Sequence, residues 1–326
     1  MRNLKTAALQ AGGAVVRKRT LLIFLVNVVL FVVFSSTNPY FLSVMNIEAV
    51  GYGILSVGII SVGMMVVMIG NGFDLSVGST LAFSGVVLSK LMEAGVPILV
   101  SVGIALLLGM VIGLANGLLI TYVGINPFIA TLGTMSMVRG LALAVTQGMP
   151  IYGLPSPFAV LGSGRFLNIP IPILLMLFLV LVFDQFMRRT TWGRLVYYVG
   201  GNIEAAKLSG INVKVVRVAT YMLTGFMAAV AGAVLTSRMM SMMATAGTGA
   251  ELKSIAACII GGAALSGGEG TVLGALMGTI LVGLIDNILI LSNVSTYWQL
   301  FSSGLILVFV VSMDMMVRRF GRVSEE

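Results

Sequence analysis

Only 11 carboxylates and 19 lysines or arginines are spread over this 326-residue chain, so charges inside its apolar runs are the first place to look for chemistry. Asp74 lies in "GNGFDLSVGST" (70–80), Arg139 in "PFIATLGTMSMVRGLAL" (127–143), and Asp286 beside Asn287 in "LVGLIDNILI" (281–290). A charge in hydrocarbon needs a partner or water, so each marks a transport path, a gate, or a pair that joins helices. Asn71, Asn116 and Asn126 join them as amides suited to hydrogen-bonding a hydroxylated solute or a neighbouring helix, as do Gln147 and Gln299. For Asp74 two readings stand. It caps the helix that follows "GNG" by accepting from Ser76 or Val77 N–H, or its charge belongs to a gate.

Other chemistries are excluded. Without histidine there is no Ser-His-Asp triad, no HExxH zinc site and no histidine proton relay. Cys258 is the single cysteine, so neither an intrachain disulfide nor a cysteine metal cluster can form. No Gly-Lys pair occurs anywhere, which removes the phosphate-binding P-loop. No cofactor is expected, and ATP-driven work would require a borrowed ATPase. A second concentration of charge suits such a partner. "GGNIEAAKLSGINVKVVR" (200–217) follows Arg188, Arg189 and Arg194, and offers Gly201 and Asn202 as a turn and N-cap. A two-turn helix of Glu204, Ala205, Ala206, Lys207 and Leu208 follows, closed by Gly210. Its small face fits a partner's groove or, equally, the lipid headgroups.

These residues are carried by a chain whose mean hydropathy is +1.09 and whose hydrophobic fraction is 58%. That composition predicts an all-α polytopic membrane protein forming a single domain over 1–326. Ten transmembrane spans are expected, at 21–36, 47–69, 79–94, 97–120, 127–147, 169–187, 216–237, 251–264, 271–291 and 297–316. The spans at 79–94 and 251–264 are short, and glycine-rich "NGFDLSVGS" and "GGAALSGGEG" beside them suit broken or re-entrant helices. Ten crossings place both termini inside, with a cytoplasmic arm at 1–20, a cytoplasmic loop at 188–215 and an external loop at 148–168. Basic residues agree: Arg2, Lys5, Arg17, Lys18, Arg19, Arg188, Arg189, Arg194, Lys207, Lys214, Arg217, Arg318, Arg319 and Arg322 all fall inside. Membrane orientation therefore accounts for the net +8 charge without nucleic acid. The glycines repeating every four residues at Gly109, Gly113 and Gly117, and at Gly270, Gly274 and Gly278, read as helix-contact faces.

Four segments taken together, "GNGFDLSVGST", "PFIATLGTMSMVRGLAL", "GGNIEAAKLSGINV" (200–213) and "TAGTGAELKSIAACIIGGAALSGGEGTVLGALMG" (245–278), resemble the permease subunits of bacterial monosaccharide ABC importers. The resemblance runs from about 45 to 315, with Asn71 and Phe73 standing where such permeases more often have glycine and isoleucine. It implies a fold similar to the vitamin B12 type of importer permease, located in the bacterial inner membrane. It also implies a periplasmic sugar-binding protein, a second permease copy, and an ABC ATPase subunit with tandem nucleotide-binding domains. By the same resemblance 200–213 is the coupling element. A nucleoside or autoinducer ligand is the nearest variant. An ion-coupled secondary transporter using Asp74, Arg139, Glu251 and Asp286 is the rival of a different class.

Overall fold

The computed structural model describes residues 21–323, so the arm at 1–20 lies outside the described residues. Apolar sequence becomes helix throughout. The order is α1 (Leu21–Thr37), α2 (Val44–Gly53), α3 (Leu55–Ile69), α4 (Val77–Glu93), α5 (Ile98–Leu118), α6 (Pro127–Thr146) and α7 (Ala159–Ser163). After a two-stranded hairpin, β1 (Arg165–Phe166) with β2 (Ile169–Pro170), come α8 (Ile171–Arg189), α9 (Thr191–Gly201), α10 (Ile203–Leu208) and α11 (Val213–Met239). The chain ends in α12 (Ala250–Ile260), α13 (Val272–Leu291) and α14 (Thr296–Val323). The protein is therefore an all-α polytopic membrane protein. Among the described residues, six stretches are long and apolar enough to cross a bilayer: Val44–Ile69, Ile98–Val123, Pro127–Thr146, Ile171–Arg189, Val213–Met239 and Val272–Leu291.

Several expected limits need correction. The 47–69 span is two helices, α2 and α3, meeting at Ile54. The 251–264 span contains only the 11 residues of α12, about 16 Å of helix and too short for a ~30 Å hydrocarbon core. The chain before it, 240–249, is largely non-helical, as is the return through 261–271. The 188–215 loop is mostly helix, α9 and α10.

Glycine sets the closest contacts. α11 packs on α3, α4 and α5. A methyl group at Gly109 of α5 would strike the Gly225 carbonyl of α11, and one at Gly225 would strike that of Gly109. α5 and α11 thus meet backbone to backbone, as small residues allow where lipid supplies no hydrophobic drive between helices. Gly274 and Gly278 of α13 do the same against Gly261 and Ala257. Around these seams Ile59, Ile60, Met64, Met65, Leu81 and Met227 are wholly buried, and they hold α3, α4 and α11 as one core.

Candidate functional site

The polar stretch at 200–217 begins against the two places where the helices break. Gly200, last but one in α9, has its α-carbon so close to the Ile69 carbonyl and the Gly268 N–H that a side chain would collide with both. Gly268 N–H in turn donates to Ile69 C=O at 2.8 Å, and Tyr197 of α9 donates its hydroxyl to Gly270 C=O at 2.8 Å. Asn71 and Gly267, one from each break, also touch here, both with positive φ. Two unwound segments and the entry to α10 therefore share one backbone cluster. The adjacent Gly201 also packs on Gly268, but in the direction of its own side chain it is open, the nearest neighbour for an added methyl being Gly268 Cα at 4.0 Å.

α10 itself is fixed locally. Asn202 Oδ1 accepts from Ala205 N–H at 2.9 Å, Gly210 takes φ 77°, and Ile211 N–H returns to Ala206 C=O at 3.1 Å. Glu204 and Lys207 pair at 2.8 Å with both side chains largely exposed, so the pair adds little to the fold. The expected small face is not a single face: Ala206 is buried, Ala205 is exposed, and Leu208 is 90% exposed. Leu208, at the tip of the helix, is thus open to a partner surface or to lipid headgroups.

Within the bundle the candidate residues separate into local clusters. Asp74 is buried; its Oδ1 accepts from Ser76 N–H at 2.8 Å and Ser76 O–H at 2.6 Å. Asn116 of α5 donates to both Asp74 carboxylate oxygens at 3.3 Å and to Ser76 Oγ at 2.9 Å. Asn71 contributes its carbonyl to Arg217 at 3.5 Å, and Asn126 caps α6 by accepting from Phe128 N–H at 2.9 Å. Asp286 pairs with Lys253 of α12 at 2.6 Å. Asn287 exchanges two hydrogen bonds with Asn46 of α2, at 2.8 and 3.1 Å. Arg139 donates to the carbonyls of Ala244 and Ala246 in the unwound 240–249 segment. Asp74 and Asn116 are thus brought together, whereas Asp286, Asn287, Asn126 and Arg139 each serve a different junction.

Three participants escaped sequence reasoning, and Gly200, legible only as part of the turn at 200–202, is set apart from Gly201 by nothing local. Asn46 and Lys253 gain meaning only through partners 241 and 33 residues away. Asp184 of α8 is buried, accepts from Leu273 N–H at 3.1 Å and pairs with Arg188 at 2.7 Å, so it serves the start of α13. Its spacing to Arg188, four residues on a helix, was the available signal.

A family model described as branched-chain amino acid transport system / permease component matches residues 46–311. The chain belongs to that permease family. It is similar to the ribose import permease protein of Haemophilus influenzae, 36% identical over 95% of this chain and 96% of the relative. The ribose import permease protein of Bacillus subtilis is 40% identical, covering 89% and 91%. The autoinducer 2 import system permease protein of Salmonella choleraesuis is 36% identical, covering 88% and 83%. No solved structure matches. As a permease component the chain supplies a membrane passage and is not itself an enzyme.

Proposed function

We propose that this permease is the membrane-spanning subunit of an ATP-driven importer for a monosaccharide, in the bacterial inner membrane. It takes the solute from a periplasmic binding protein and works as two copies on an ABC ATPase subunit with tandem nucleotide-binding domains. The observation that carries the coupling role is the position of α10. Its exposed tip, Leu208 with Glu204 and Lys207, presents a docking surface, while its root at Gly200 is wedged between the α3–α4 and α12–α13 breaks. A push on that tip is delivered to two non-helical segments, 70–76 and 261–271. The second copy is supported by α6, where Gly133 and Gly140 face open space with Ile129, Met137 and Leu141 exposed beside them. Cytoplasmic termini follow from the basic-residue distribution.

The ribose permeases among the relatives favour a sugar, and the autoinducer 2 permease keeps that ligand as a second reading. Against ion coupling stand the partners of the charged residues: Asp286 is paired with Lys253 and Arg139 is spent on backbone carbonyls. Reconstitution with the ATPase and binding protein tests the proposal. Uptake of labelled ribose or arabinose should require ATP and survive an ionophore. Uptake that proceeds without the ATPase and collapses with the ionophore would refute it.

A further inference from the structure

The 240–249 segment leaves α11 at Met239 and turns back along α4. Met242 packs on Gly85, whereas Gly247 packs on Gly78, seven residues and about 10 Å further along that helix. α12 then continues the same descent, with Ser254 against Ser61 of α3 and Cys258 donating to the Ser61 carbonyl. Residues 243–249 therefore run unwound beside the middle of the bundle, with Gly247 and Gly249 in the left-handed region that keeps them from joining α12. Ala244 turns inward and is buried, but Met243, Thr245 and Thr248 are exposed, as is Leu252 on the first turn of α12.

Most carbonyls of the segment have partners within the chain: Met243 accepts from Ala246 N–H, Ala244 and Ala246 from Arg139, Thr245 from Thr248 O–H, and Gly247 from Ala250 N–H. Its exposed side nevertheless carries threonine hydroxyls on non-helical backbone, which cannot face lipid, because hydrocarbon offers polar groups no partner. It is tolerated beside a water-filled cavity. Arg139 makes the same point from α6: its guanidinium spends two donated bonds, one at 2.8 Å, on the Ala244 and Ala246 carbonyls rather than on a carboxylate. It braces the segment in its unwound course. We propose that 243–249 is a wet wall of the transport path, and that the Thr245 and Thr248 hydroxyls are solute contacts for the hydroxyl groups of a passing sugar: Thr245 can donate and accept, while Thr248, whose hydroxyl donates to Thr245 C=O at 2.7 Å, accepts. Arg139 is the positioning residue that keeps them presented. This rests on the sugar-permease reading above and names the part of the chain that meets the solute. Neutral hydroxyls and glycine backbone suit that task, since they hold a polyol weakly enough to release it.

The test uses the assembled transporter with Cys258 replaced by alanine, after confirming that uptake persists. Thr245→Cys and Thr248→Cys are treated in open membranes with an impermeant methanethiosulfonate, which needs an ionised, hydrated thiol. Both should react within about tenfold of Ser156→Cys in the exposed loop, and at least about a hundredfold faster than Phe178→Cys on the apolar outer face of α8. Labelling as slow as that of Phe178→Cys overturns the proposal. Thr245→Val and Thr248→Val should each lower uptake by about two- to tenfold at subsaturating ribose, the loss of one hydrogen bond. Serine at either position should restore uptake. Valine variants that transport normally overturn the hydroxyl contacts. Arg139→Met should raise the KM for ribose and slow the Thr245→Cys reaction, with Arg139→Lys recovering part of both. A changed KM without altered labelling would remove Arg139 from its positioning role. If labelling is fast but unmodified transporter moves no sugar, the wet segment stands and the sugar assignment fails.

Discussion

Gly200→Ala and Gly201→Ala differ by one residue in the same helical turn, which makes them an internal comparison for the coupling corner. At Gly200 the added methyl meets the Ile69 carbonyl oxygen and, at 2.8 Å, the Gly268 nitrogen; both are backbone atoms without rotamers through which to escape. Accommodating it requires the α3–α4 break to part from the 261–270 segment and stretches the 2.8 Å hydrogen bond from Gly268 to Ile69. Forcing one carbon into packed structure costs about 1–3 kcal/mol. At Gly201 the same methyl reaches only Gly268 Cα at 4.0 Å, an ordinary contact, so that change should be neutral or gain up to about 1 kcal/mol from lower backbone entropy. Denaturation of the purified chain in mixed micelles should therefore separate the two variants by about 1–4 kcal/mol. In the assembled transporter Gly200→Ala should hydrolyse ATP with weakened coupling to uptake, and Gly201→Ala should behave as the unmodified protein. Equal stability of the two, with equal coupling, would refute the claim that α10 is rooted at this contact.

Asp74→Asn should retain near-normal uptake, because Asn116 Oδ1 has no partner and can accept from the new amide by turning over. Asp74→Leu should lose about 1–3 kcal/mol in the same denaturation, stranding the Ser76 and Asn116 donors. A folded, assembled and transport-dead asparagine variant would instead show that the charge gates. Asn287→Leu should destabilise by about 1–2 kcal/mol through the stranded Asn46 amide, and a double-mutant cycle with Asn46→Leu should return a coupling of about 0.6–2 kcal/mol; additive losses would refute the pair. Glu204→Lys should change chain stability by under about 1 kcal/mol, since its ion pair is exposed, yet reduce ATP-driven uptake; undiminished uptake would remove α10 from the ATPase interface. Swapping Lys253→Asp with Asp286→Lys should recover stability lost by either change alone, read by the same micelle denaturation.

What was legible in the sequence is local or periodic. Long apolar runs announced the helices, and Asn202 with Gly210 bounded α10, because a cap and a left-handed glycine act within a few residues of themselves. Asp74 could be read as an acceptor for Ser76, two residues on, but its bond from Asn116 joins residues 42 apart and leaves no mark in spacing. The partners of Arg139 are carbonyls, which every residue carries, so no sequence pattern could name them. The depth of the 240–249 turn left no mark either, because polarity marks a loop without recording where it lies in the bilayer. Which of two neighbouring glycines is crowded depends wholly on what folds against it.

α11 is 27 residues long, about 40 Å from Val213 to Met239, and its backbone is in direct contact with that of α5. One end is joined to α10 by the four residues 209–212, and the other runs straight into the unwound segment at 240. Such a rod is a lever anchored at its α10 end. A tilt of about 5° about the lower end would carry Met239 sideways by about 3.5 Å, the scale of a water molecule's width. A displacement too small to disturb the glycine seam as a unit is thus large enough, at the far end, to open or close a single file of water.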